Sequence, residues 1–246
     1  MTKSTTSGSK GKSGKKAVTG KAGGQRFLNT RVKTARGRKT SSTLWLQRQL
    51  NDPYVHRAKA DGYRSRAAYK LLELNDKFGL LKPGMRVVDL GAAPGGWAQV
   101  ACLVTRADEV LDTPLVIAVD RLPIAPMSGA IMLEMDFLSE GAEEVIIKAA
   151  GGKKVGAVLS DMAPSFTGHA ATDHLRTMAL AEAALDLAEK LLLPEGSFVT
   201  KMIQGAETQA FVTRLRSRFA KVRHVKPDSS RQESAEHFLV CTGFKG

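Results

Sequence analysis

The sequence predicts a doubly wound α/β domain built on a mostly parallel sheet. Three observations lead there. Short apolar runs that close on an acid (Val87-Val88-Asp89-Leu90, Leu115 to Asp120, Val155 to Asp161) alternate with stretches of helical periodicity. A turn of Gly, Ala and Pro (Gly91-Ala92-Ala93-Pro94-Gly95-Gly96) joins the first run to its helix. The chain has 246 residues, 43% of them hydrophobic, which is enough for one full core and short for two.

Taken in order, residues 1 to 39 are Lys, Gly, Ser, Thr and Ala with almost no large apolar side chain, so they are expected to be a disordered basic tail. The folded domain is expected to span 40 to 246, opening with Ser41-Ser42-Thr43 as an N-cap for the apolar stripe of Leu44 to Leu50. Residues 52 to 70 interleave Arg57, Lys59, Arg64, Arg66 and Lys70 with Tyr54, Tyr63 and Tyr69, and run into a helix with Ala68, Leu71 and Leu72 on one side. No acid occurs from Gly62 to Leu72, so this stretch reads equally as a solvated helix or as an RNA contact.

Lys82-Pro83-Gly84 turns the chain into the first strand, and a helix runs from Gly96 to about Thr105. Leu115 to Asp120, Leu133 to Phe137 and Val155 to Asp161 are the next strands. Thr172 or Asp173 can cap a helix through Leu193 with Leu175, Met178 and Leu185 on its apolar side. Pro194-Glu195-Gly196 is expected to turn the chain into Ser197 to Ile203. Lys201 in that strand must be neutralised by a carboxylate or used in chemistry, because a buried lysine is otherwise unfavourable. A helix over Ala206 to Phe219 leads into a basic run with Arg214, Arg216, Arg218, Lys221, Arg223 and Lys226. A polar loop, Lys226 to Arg231, then leads to a last strand over Glu236 to Thr242, in a terminal antiparallel pair.

Charge and cysteine usage narrow the function classes. The formal charge is +13, yet no acid precedes Asp52 and thirteen Lys or Arg lie in the first fifty residues, leaving 24 basic against 24 acidic side chains beyond them. Any RNA affinity of the body therefore rests on local clustering. Cys102 and Cys241 sit alone in apolar runs, which argues against disulfides and against metal; the expected metal ligands are none. No run approaches a membrane span and the N-terminus lacks a secretory apolar segment, so a soluble cytoplasmic protein is expected.

The glycine turn carries the chemistry. Gly91, Gly95 and Gly96 miss the dinucleotide spacing, since Ala93 stands where the second glycine would admit a pyrophosphate. With no phosphate-gripping lysine and acids at the strand ends, the pattern suits S-adenosylmethionine. Asp120, closing the second strand, is placed to accept hydrogen bonds from ribose hydroxyls, and Asp136 could reach an adenine amino group.

Together, Asp89 to Trp97, Ser160-Asp161-Met162-Ala163-Pro164 and Lys226-Pro227-Asp228-Ser229-Ser230-Arg231 resemble the FtsJ/RrmJ family, from about Trp45 to Gly243. Within it the sequence is most similar to the bacterial enzymes that methylate a uridine 2′-hydroxyl of 23S ribosomal RNA. The resemblance implies a class I methyltransferase fold, Rossmann-like, with seven strands, one of them terminal and antiparallel, and helices on both faces. It carries over a catalytic tetrad of Lys70, Asp161, Lys201 and Glu236, and cofactor contacts at Gly95, Trp97, Asp120, Asp136 and Asp161. It also implies a monomer acting on ribosomal RNA, within the large (50S) subunit. It says nothing of the basic tail.

The chemistry requires the ribose oxygen, the methyl carbon and the sulfur in line, and a base for the hydroxyl proton. A lysine serves only when desolvation or a second cation favours its neutral form, and Lys70 beside Lys201 would supply the second. Asp161 and Glu236 would orient the amines, and Met162 to Phe166 would wall the cofactor or the substrate. Three other readings remain: a ribose methyltransferase of transfer RNA or a cap, a non-catalytic RNA-binding assembly factor, and a dehydrogenase. A filled tetrad and glycine turn count against the second, and Ala93 against the third.

Overall fold

The computed structural model describes Met1 and residues 40–109, 114–203 and 208–246, with only the backbone of Thr40, Ser41, Ser42, Leu44, Trp45 and Ala170. The expected tail over residues 2–39 lies outside the described residues.

Three helices precede the sheet: α1 (Thr40–Asn51), α2 (Pro53–Ala60) and α3 (Ala67–Phe78). Ser41 to Thr43 lie inside the first turn of α1 rather than ahead of it. Asp52 caps α2 by accepting the Tyr54 N–H at 3.0 Å, and Pro53 stands at the first helical position, where an N–H would have no helical partner. α3 buries Ala68, Leu71 and Leu74 and ends at Gly79, whose φ of 62° lets its N–H return to the Asn75 carbonyl at 2.7 Å.

The sheet consists of β1 (Val87–Leu90), β2 (Val116–Asp120), β3 (Ala130–Glu134), β4 (Val155–Ser160), β5 (Leu192–Ile203), β6 (Phe219–Val225) and β7 (Glu236–Phe244), in the order β3-β2-β1-β4-β5-β7-β6. The first five strands are parallel neighbours, and β7 runs antiparallel between β5 and β6. The connecting helices are α4 (Gly96–Thr105), α5 (Ala142–Ala149), α6 (Ala170–Leu191) and α7 (Gln209–Arg218).

Because side chains alternate along a strand, the sheet feeds two cores. Val88, Leu90, Val158, Phe198, Leu239 and Cys241 pack under α5, α6 and α7, and Val87, Leu159, Val199, Phe238 and Val240 pack under α3 and α4. Burying each of the larger of these side chains is worth about 1.5–3 kcal/mol. Both cysteines are buried, and burial pushes the Cys102 thiol up to about 11.

Four expectations need correction. β3 ends at Glu134, so Asp136 stands in the loop beyond the strand. α6 begins at Ala170 with His169 at its cap. Asp173 reaches back from inside the helix to accept the N–H groups of Thr167 and Gly168. Leu175 is 68% exposed, because the buried stripe runs through Met178, Ala181, Leu185 and Ala188. Pro194-Glu195-Gly196 does not end an element; it is an irregularity within β5, with Glu195 at φ 64° and a register shift against β4 between Val155 and Ala157.

Candidate active site

The parallel strands end together at one edge of the sheet, and the residues following them line a cavity of about 510 Å³. Asp120, Asp136 and Asp161 face it, with Gly91, Ala93, and Met162 to Ser165. Each Asp120 oxygen accepts one backbone N–H, from Ala93 and from Leu122, both at 2.9 Å, which fixes the carboxylate and leaves lone pairs for a ligand. Asp136 accepts the Leu138 N–H at 3.0 Å and lies 3.6 Å from Arg121.

The glycines of the turn are packed closely by the protein around them. Gly91, at φ 77°, would place a Cβ 2.8 Å from Met162, and a Cβ on Gly95, at φ 108°, would lie 3.0 Å from Arg64. On Gly96 the clash would be with Ser65. The close approaches are to the protein itself. Gly95 and Trp97 do not line the cavity. The Trp97 ring is 2% exposed, sits 5.4 Å from Phe238 and donates its N–H to the Ala67 carbonyl at 2.8 Å, so the side chain belongs to the core.

The four residues of the expected tetrad do come together, from α3, the end of β4, β5 and the start of β7. Lys201 Nζ donates to the Asp161 backbone carbonyl at 2.6 Å and lies 3.0 Å from Asp161 Oδ1, the latter an ionic contact rather than a well-directed hydrogen bond. Lys70 Nζ donates to Glu236 Oε1, which also accepts from Ser230 Oγ at 3.3 Å. Burial pushes the Glu236 carboxyl up, but the cations of Lys70 and Lys201 outweigh it and hold the group below its ordinary value. Glu236 thus senses both lysines. The carboxylates of Asp161 and Glu236 lie against the amines of Lys201 and Lys70, as expected of groups that orient them.

Sequence reading missed two features. Asp89 is wholly buried at the foot of the glycine turn; burial first, then the carboxylates of Asp161 and Asp120, push its carboxyl well above the ordinary value. An acid inside an otherwise apolar strand was the available signal. The other is a clamp: Asp52 accepts from Arg66 and, at 3.1 Å, from Arg231, while Arg66 also donates to the Ser229 carbonyl and Glu73 accepts the Ser229 N–H. It ties α2 and α3 to the loop that delivers Glu236, beside a cavity of about 320 Å³ lined by Arg48, Arg66, Lys70, Arg231 and Glu236.

The basic clusters are largely engaged. Arg57 pairs with Asp61, Arg66 with Asp52 and Lys70 with Glu236, while Arg64 donates to the carbonyls of Ala125 and Pro126. In the second cluster Arg214 and Arg218 pair with Glu189 on α6, and Lys226 donates to the carbonyls of Gln232 and Ser234. Lys221 and Arg223 stand exposed on β6. Among the described residues no helix is long and apolar enough to cross a membrane, and no group of three or more His, Cys, Asp or Glu could hold a metal ion.

Comparison with known proteins gives consistent matches. The FtsJ-like methyltransferase family matches residues 63–244. A ribosomal RNA large subunit methyltransferase E from Paramagnetospirillum magneticum is 52% identical over 239 residues, covering 97% of this chain and 98% of that protein. One from Maricaulis maris is 56% identical over 216 residues, covering 88% and 75%. Among solved structures, a Plasmodium falciparum protein described as a ribosomal RNA methyltransferase superposes with a TM-score of 0.65 at 29% identity, over 75% of this chain and 100% of that one.

Proposed function

The chain belongs to the FtsJ-like methyltransferase family and is an S-adenosylmethionine-dependent methyltransferase, and we propose that it methylates the ribose 2′-hydroxyl of a uridine in 23S ribosomal RNA of the large subunit. The observation that carries this reading is the junction at Asp161, which lines the 510 Å³ cavity and also holds Lys201. Donor and acceptor sites meet at that residue. The relatives named as large-subunit ribosomal RNA methyltransferases, more than half identical over most of the chain, favour this substrate over transfer RNA or a cap.

The cavity fits the cofactor on its donor set: fixed carboxylates at Asp120 and Asp136 for hydroxyl and amino groups, and apolar walls from Val119, Leu122 and Met162. When bound, S-adenosylmethionine supplies an electrophilic methyl group on a sulfonium centre. Asp120 accepts from the ribose hydroxyls, and Asp136 takes the adenine amino group. Lys201 receives the proton of the RNA 2′-hydroxyl on Nζ. Its Nζ is held at Asp161 by the hydrogen bond it donates to the backbone carbonyl at 2.6 Å, which fixes the amine at the point where that proton leaves. Lys70 and Glu236 fix the far side of the site, and Ser230 fixes Glu236. The enzyme works on cytoplasmic ribosomal particles and as a monomer.

The test is methyl transfer from labelled S-adenosylmethionine to 50S subunits taken from cells lacking this protein, followed by mapping of the modified nucleotide. A single new 2′-O-methyluridine in 23S RNA is the expected result. A label on a base, or subunits left unlabelled while transfer RNA is methylated, would overturn the assignment.

A further inference from the structure

A third cavity adjoins the tetrad at Glu236, where β7 begins, with its imidazoles on the opposite face of that strand from Phe238 and Lys70. It measures about 360 Å³, lies between β6 and β7, and is lined by His224, Val225, Lys226, Ala235, Glu236 and His237. Glu236 lines it together with the arginine-rich cavity, so a ligand here reaches within one side chain of the tetrad. The two imidazole rings are stacked, with centroids 5.6 Å apart and planes 20° from parallel, and His224 is exposed on the edge strand of the sheet. Lys226 is drawn back onto the carbonyls of Gln232 and Ser234 at 3.0 and 2.7 Å, which braces the loop over the cavity.

The two side cavities differ in chemistry. The one beside α1 and α3 is lined by Arg48, Arg66 and Arg231, the last two braced by Asp52, and its cationic wall attracts phosphate oxygens. The one between β6 and β7 presents flat rings. Proteins that act on single-stranded RNA splay the bases out and stack them on aromatic or histidine side chains. We infer that the cavity between β6 and β7 is a subsite for the nucleobase next to the methylated nucleotide, with His224 as its stacking surface. This rests on the proposed transfer to RNA. A chain threaded through the site places its backbone along the arginines and its target ribose at Lys201 and Glu236. The neighbouring base then rests on the imidazole pair.

The test is steady-state methylation of 50S subunits from cells lacking the protein, using the full-length enzyme. His224→Ala is expected to raise KM for the subunits roughly tenfold, the usual worth of one stacked base, with kcat and S-adenosylmethionine affinity unchanged. His224→Phe restores KM and His224→Lys does not. An unchanged KM in His224→Ala, or rescue by Lys and not by Phe, which would mark a phosphate contact, overturns the subsite. A wild-type enzyme inactive on the subunits overturns the substrate reading and the subsite with it. An active wild type with an indifferent His224→Ala overturns the subsite alone.

Discussion

The two halves of the site are built by different rules. On the side of β1 to β3, the cavity-lining acids are fixed at shorter range: Asp120 by Leu122 two residues on and by Ala93, 27 positions back on the adjoining turn, and Asp136 by Leu138 two residues on. On the side of β5 to β7, the bonds span most of the sequence. Lys70 meets Glu236 across 166 positions, Arg231 meets Asp52 across 179, and Ser229 meets Glu73 across 156. The cofactor half is thus a local product of strand and turn. The substrate half exists only when α1 to α3 and the loop before β7 have docked, so damage there should spare cofactor binding.

The largest effect that would break this comparison is expected at the junction. Lys201→Ala should lower kcat by roughly two to four orders of magnitude with S-adenosylmethionine affinity near wild type, measured by single-turnover kinetics and calorimetry. Lys201→Arg should not rescue it, because a guanidinium stays protonated. A near wild-type rate in the Arg variant would make Lys201 a positioning group. Next comes Asp52→Ala, which strands two arginines and removes a helix cap. A loss of about 2–3 kcal/mol in stability is expected, with KM for RNA raised and cofactor affinity unchanged. Equal losses of both affinities would show that the halves are not separable.

Asp120→Ala should do the reverse, weakening S-adenosylmethionine by about 1–3 kcal/mol while RNA affinity holds. The smallest effect is the pH slope at Asp89. Its folded-state value lies well above 3.8, so above pH 4 the folded chain binds a proton that the unfolded chain releases. The stability contribution is full below that value and declines as pH rises, by about 1.4 kcal/mol per unit until the folded value is reached. Asp89→Asn removes the decline, so its melting temperature relative to wild type should climb between pH 4 and pH 7. A constant difference would mean that Asp89 is ionised in the fold.

What could be read from the sequence follows the same division. The strands β1, β2 and β4, the α4 boundaries and the place of Asp120 at the end of β2 were legible because they depend on periodicity along a short stretch. Lys201 stood out as a lysine in an apolar strand. Lys70 and Glu236 were reached through family resemblance, since nothing local marks a pair 166 positions apart. The partners of the basic clusters were hidden for the same reason. Acids absent from the neighbouring sequence return through space, as Asp52 and Glu189 do, and a charged run looks available until its distant partners are known. The ring of Trp97, a cofactor contact by the family resemblance, turns back to the core beside Phe238, which no local pattern in the sequence marks.

The position of β7 has a consequence for the order in which the enzyme comes into being. β5 and β6 are made before β7, yet they flank it, so they must leave a slot about 10 Å across that only β7 fills. Glu236 enters with the first residue of that strand. A nascent chain halted before it has five adjacent parallel strands and the acids of the larger cavity, but Lys70 has no carboxylate and the loop clamped by Asp52 has no strand to lead into. During synthesis the protein can become a receptor for the methyl donor before it becomes a catalyst, and only the closing of the slot converts one into the other.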